Sequence, residues 1–166
     1  MLIKRLIQPQ IEANLFKGKI VVIYGARQVG KTTLIKEIGK KYGDYSYYSC
    51  DEPDVVSALS NRTSTELIDF LGHKKLIIID EAQRVPNIGL ALKLLADNFP
   101  QIQFIATGSS SFDLANEINE PLTGRKRVFQ LYPISMGELA QMSSQTDESR
   151  LLEKRLIFGL YPEIVS

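Results

Sequence analysis

The stretch "KIVVIYGARQVGKTTLIKEIGKKYG" sets an apolar run, a glycine-bounded turn carrying a lysine and a helix-patterned segment directly one after another. Within it, Gly25, Ala26, Arg27, Gln28, Val29, Gly30, Lys31 and Thr32 read G-x-x-x-x-G-K-T, the P-loop pattern. Each required residue has a physical reason. Glycines let the backbone turn its N–H groups inward around a phosphate without Cβ clashes. A helix starting near Lys31 aims its unpaired N–H groups and positive dipole end at the same spot. Lys31 can reach β- and γ-phosphates, and the Thr32 hydroxyl can bind Mg²⁺. Thr33 completes the set of binding candidates, with Arg27 and Gln28 touching phosphate or facing solvent. The alternative is a strand-to-helix turn that merely fits the pattern. The preceding strand and following helix favour the phosphate reading.

The rest of the chain repeats that alternation. Short apolar runs at 19–25, 45–50, 75–80, 103–108 and 127–132 predict strands buried on both faces, since a covered parallel strand is apolar throughout. Helices are expected between them. Residues 32–41 carry Leu34, Ile35 and Ile38. Thr63 and Glu66 have capping-box spacing, with Gly72 to end the helix, and Ser135 and Glu138 repeat that spacing. Asn87 is a candidate cap for a helix carrying Ile88, Leu92 and Leu95. Residues 1–16 predict an amphipathic helix with Leu2, Ile3, Leu6 and Ile7 on one side. The polar "MSSQTDES" at 142–149 reads as a loop. Strand and helix in alternation predict an α/β fold with a parallel sheet, whose ligands bind beyond the carboxyl ends of the strands.

A second signal lies in "LIIIDEAQ", where a buried strand ends in two acids. Asp80 is placed to hold Mg²⁺, a hard ion that keeps part of its water shell. Glu81 is placed to orient an attacking water or take its proton. Two acids can also simply mark a strand's exit into solvent. Beside a P-loop, the three elements together describe nucleoside triphosphate hydrolysis.

The totals exclude some classes. A net charge of +1 gives no push toward nucleic acid or an anionic membrane. No apolar run approaches the ~18 residues of a membrane helix. The single cysteine, Cys50, allows no internal disulfide and fits a reducing, cytoplasmic setting. The lone histidine, His73, reads as solvated, and without a Cys/His cluster structural zinc is not supported. Tyr45, Tyr47 and Tyr48 read as strand residues, because Asp44, Asp51 and Glu52 flank them where a nucleic-acid platform would want basic groups.

With "YGARQVGKTTL", "LIIIDEAQRVPNIGLALKLLADN", "FIATGSSSFDLANE", "PLTGR", "LYPISMGEL" and "GLYPEIV" in hand, the chain resembles the archaeal and bacterial predicted ATPases of the AAA+ superfamily, which carry a P-loop domain followed by a separate C-terminal domain. The resemblance implies ATP as the nucleotide. It implies a three-layer P-loop fold with a mostly parallel five-stranded sheet, the 75–80 and 103–108 strands neighbouring the P-loop strand. It makes residues 1–166 one ATPase domain, with 143–166 a helical segment leading to a C-terminal domain. It also implies a γ-phosphate sensor at the end of the fourth strand, among Thr107, Ser109 and Ser110, with Ser109 favoured. The alternative there is a polar strand exit whose hydroxyls cap the next helix. Arg125 stands where such proteins place an arginine finger reaching a neighbouring subunit's nucleotide, hence a possible homo-oligomer; a solvated basic edge with Lys126 and Arg127 is the alternative. No helical lid is legible, so weak binding and slow turnover are expected.

Two competing functions remain open at this point. One is a nucleotide-gated switch for a protein or DNA partner. The other is a small-molecule phosphotransferase, which would want an arginine-rich lid over the phosphates.

Overall fold

The computed structural model describes residues 3–109 and 121–165. Along the chain run α1 (Gln8–Glu12), β1 (Ile20–Tyr24), α2 (Lys31–Tyr42), β2 (Tyr45–Ser49), α3 (Pro53–Leu59), α4 (Ser64–Leu71), β3 (Leu76–Asp80), a 3-10 turn (Ala82–Arg84), α5 (Ile88–Asn98), β4 (Gln103–Gly108), β5 (Lys126–Gln130), α6 (Met136–Ala140), α7 (Gln145–Arg150), α8 (Leu152–Phe158) and α9 (Pro162–Val165). The strands form one sheet in the order β2-β3-β4-β1-β5, every pairing parallel.

Side chains alternate across a strand, and here both faces are covered. From β1, Ile20 and Val22 join Ile77, Ile79 and Phe104 under the helices α3, α4 and α5. Val21 and Ile23 join Ile78 and Ile105 on the opposite face, against Leu34, Ile35 and Ile38 of α2 and Ile11 of α1. That two-sided burial is why β1, β3 and β4 read as unbroken apolar runs. Each fully buried Ile or Leu contributes about 1.5–3 kcal/mol relative to an exposed one. The result is the expected α/β architecture, three layers around a five-stranded parallel sheet.

Several expectations need correction. β2 and β5 are edge strands: β2 is half-buried along its length, and β5 is largely exposed. The P-loop strand β1 lies between β4 and β5, so β3 is one strand further away. The opening helix is only α1. Pro9 sits in its first turn, and left-handed backbone at Phe16 and Gly18 follows it. Its buried residue is Ile11, and Leu6 faces solvent. The polar 142–149 stretch contains α7, because the Ser144 side chain accepts from the Asp147 N–H and caps it. Asn87 adopts a left-handed conformation and makes no side-chain cap. Both capping boxes form, and Gly72 (φ +74°) ends α4. No helix among the described residues is long and apolar enough to cross a membrane.

Candidate active site

The switch in strand order beside β1 opens a crevice at the carboxyl ends of β1, β3 and β4, and the P-loop fills it. The loop is tied at its start, where the Gly25 N–H donates to the Gly108 carbonyl. A Cβ on Gly25 would lie 2.4 Å from the Leu131 carbonyl oxygen, so only glycine fits. Gln28 and Gly30 have φ of +63° and +95°, and these two left-handed residues turn the chain into α2. Among the described residues, no protein acceptor engages the main-chain N–H groups of residues 26–33. Consecutive free amides at a helix start make an anion cradle. The side chains of Ala26, Arg27, Gln28 and Thr33 are exposed, while Val29 is buried.

Lys31 is buried. Its Nζ donates to the carbonyls of Gly25 (3.0 Å) and Ala26 (2.9 Å). Burial holds its pKa below the usual lysine value, although the Glu81 and Asp80 carboxylates pull the other way; Arg27 adds to the lowering. Across the crevice, Asp80 is buried among hydroxyls. Its Oδ2 accepts from the Thr32 Oγ1 (2.7 Å) and the Tyr47 hydroxyl (2.8 Å), and its Oδ1 from Thr107. Burial raises the Tyr47 hydroxyl pKa, and the carboxylate raises it further. The Thr32 hydroxyl and the Asp80 carboxylate offer hard oxygen donors at hydrogen-bond distance from each other, the donor type that suits Mg²⁺.

Glu81 stands at φ +54°, an uncommon conformation for a non-glycine residue. Its N–H donates to the Thr107 Oγ1 (3.0 Å), and its Oε2 accepts from the Gln83 Nε2 (2.5 Å). The same Gln83 nitrogen donates to the Ser109 Oγ (3.0 Å). Thr107 thus bridges Asp80 and Glu81, donating to the one and accepting from the other. Ser109 sits beside Glu81 through Gln83, and Ser110 lies outside the described residues. Arg125 is at the other end of the sheet. Its carbonyl accepts from the Ile20 N–H at the start of β1, and its guanidinium forms an exposed ion pair with Asp97 (2.6 Å). The length of β1, roughly 16 Å at ~3.3 Å per residue, separates it from this chain's own P-loop.

Some contributors were not legible beforehand. Gln83 lies in the quoted "DEAQ", and Tyr47 was read only as a strand residue. Arg5 was absent from the candidates altogether. It is buried, and its guanidinium donates to Glu138 (3.0 Å), to the P-loop carbonyl of Val29 (2.7 Å) and to the Tyr132 carbonyl (2.5 Å). A cavity of about 940 Å³ adjoins the loop, lined among others by Ile3, Leu6, Gly30, Thr33, Ile134 and Pro162. A Cβ on Gly30 would be 3.7 Å from Pro162. The start of α9 therefore lies beside the P-loop, where the sequence shows no legible helical lid.

Comparison with known proteins agrees with this geometry. A family model described as an AAA domain matches residues 17–140. An uncharacterized protein of Mycobacterium tuberculosis is 30% identical over 136 residues, covering 81% of this chain and 30% of the relative. An uncharacterized protein of Methanocaldococcus jannaschii is 29% identical over 175 residues, covering 96% and 39%. The chain thus spans about a third of the length of these relatives. Among solved structures, a Walker-type ATPase of Pyrococcus abyssi matches with a TM-score of 0.64 at 17% identity, covering 99% of this chain and 66% of that one. A Drosophila ORC chain, solved bound to DNA, matches at 0.55 and 14% identity, covering 81% and 93%. At such identities these two show the fold. The matched family span takes in the P-loop, Asp80, Glu81 and Ser109, and the chain belongs to the AAA-domain family of nucleotide-binding P-loop ATPases.

Proposed function

We propose that this chain binds ATP together with Mg²⁺ and hydrolyses the terminal phosphoanhydride bond. The observation that carries this reading is the 2.7 Å contact of the Thr32 hydroxyl with Asp80, opposite the free amides of the P-loop. The loop amides and Lys31 bind the phosphates, Lys31 exchanging its two carbonyl partners for phosphate oxygens. Thr32 and Asp80 hold the metal, which when bound supplies positive charge against the phosphate oxygens. Glu81 orients the attacking water and accepts its proton. Ser109 donates a hydrogen bond from its hydroxyl to a γ-phosphate oxygen. The cavity beside Gly30 accepts the base and ribose, its mixed lining of apolar and polar side chains suiting a nucleoside. Arg125, at the far end of the sheet, serves the nucleotide of a second copy.

Turnover and ATP titration on point variants test these roles. Lys31→Ala should abolish ATP binding. Glu81→Gln should keep the affinity and lower kcat by about 100-fold or more. Equal loss of affinity in both variants would remove the role given to Glu81.

A further inference from the structure

Gln83 has a position that the phosphate, metal and water roles do not use. It sits in the 3-10 turn just after Glu81, and its single amide nitrogen donates to both the Glu81 carboxylate and the Ser109 hydroxyl. The amide can present only its NH₂ to Glu81, because a carbonyl there would set acceptor against acceptor. Its Oε1 is then left buried, without a hydrogen-bond partner among the described residues. A buried polar atom without a partner is uncommon and calls for a reason. A second oddity adjoins it, since Glu81 itself holds left-handed backbone pinned by Thr107. Such strain gathers at sites where geometry is held for function.

The direction of the hydrogen bonds matters. Ser109 accepts from Gln83, so its own proton is free to donate to a phosphate oxygen. Glu81 also accepts from Gln83, so one of its oxygens is held while the other remains for a water. Gln83 therefore joins the Ser109 hydroxyl to the Glu81 carboxylate, donating to both from one nitrogen.

We infer that Gln83 is a positioning residue, which reads the γ-phosphate through Ser109 and sets the Glu81 carboxylate for attack through its one amide nitrogen. This rests on the roles given above to Glu81 and Ser109. ADP, lacking the γ-phosphate, leaves the link in its resting arrangement.

The test uses the whole chain with four variants: Gln83→Met, Ser109→Ala, the double variant and Glu81→Gln. Gln83→Met should lower kcat by about tenfold to a hundredfold, with ATP affinity by titration within about twofold and the thermal midpoint unchanged. The double variant should be no slower than the worse single one, as expected of residues acting as a unit. A second readout does not depend on turnover. The Gln83 side-chain amide resonances, identified by their loss in Gln83→Met, should shift with a non-hydrolysable ATP analogue and not with ADP. That shift should vanish in Ser109→Ala. Wild-type turnover in Gln83→Met, additive losses in the double variant, or amide signals indifferent to the analogue would overturn the inference while Glu81→Gln stays impaired. If the wild type and Glu81→Gln are equally inactive, the hydrolytic reading itself fails, and the amide shift alone then decides whether Gln83 senses the phosphate.

Discussion

Arg5 and Arg125 lie at opposite ends of β1, and their surroundings could hardly differ more. Arg5 is buried and spreads its guanidinium over a carboxylate, a P-loop carbonyl and the chain just beyond β5. Arg125 pairs with Asp97 in solvent, where water and salt screen it. In one case the charge is part of the fold's interior. In the other it is available to something outside. The contrast shows that an arginine's role follows from what surrounds it in three dimensions, because nothing local in the sequence marks Arg5 as the buried one of the two.

The largest effect should come from Arg5→Met. It leaves the Glu138 carboxylate buried without its cation, and breaking such a pair costs about 3–5 kcal/mol. Thermal unfolding should show a clear drop in midpoint, and ATP affinity should fall because the Val29 carbonyl loses its anchor. A wild-type midpoint would mean that the clamp contributes nothing.

A smaller effect concerns acid. Burial pushes the Glu138 carboxyl up, but the N–H groups of Ser135 and Leu6 and the Arg5 guanidinium outweigh it and hold the pKa below its ordinary 4.5. A carboxyl depressed in the folded state contributes stability above its unfolded pKa, and that contribution is lost as pH falls through the folded value. Stability followed by denaturant titration should therefore decline below about pH 4.5, and Glu138→Gln should flatten that decline while starting lower at neutral pH. An acid limb unchanged by the substitution would assign the loss to other carboxylates.

The smallest effect on the lone chain belongs to Arg125→Ala. Its midpoint and ATP affinity should match the wild type, since an exposed pair is weak and distant from the P-loop. Specific activity measured against protein concentration should rise steeply for the wild type and stay flat for the variant, if Arg125 completes the site of a second copy. A concentration-independent profile in the wild type would dismiss that role.

What could be read beforehand divides along the same line. β1, β3 and β4 were legible because burial on both faces forces unbroken apolar runs. The P-loop was legible because its backbone geometry demands glycines at fixed spacing. The edge strands β2 and β5 were legible as strands but not as edges, since position in the sheet is not written locally, and α7 was missed because a serine cap is easily taken for a loop. Arg5 and Tyr47 escaped because their roles come from contacts 24 and 33 residues away along the chain, which local spacing cannot reveal. Gln83 was quoted within its motif, yet its link to Ser109 needed β4 to lie beside β3.

Calorimetric titration of ATP, with and without Mg²⁺, into the wild type and Asp80→Asn tests the phosphate and metal site most directly. The wild type should bind more tightly when Mg²⁺ is present, and Asp80→Asn should bind equally with and without it. A wild type that takes up no ATP, or an Asp80→Asn chain that keeps the full Mg²⁺ enhancement, would contradict the site described here.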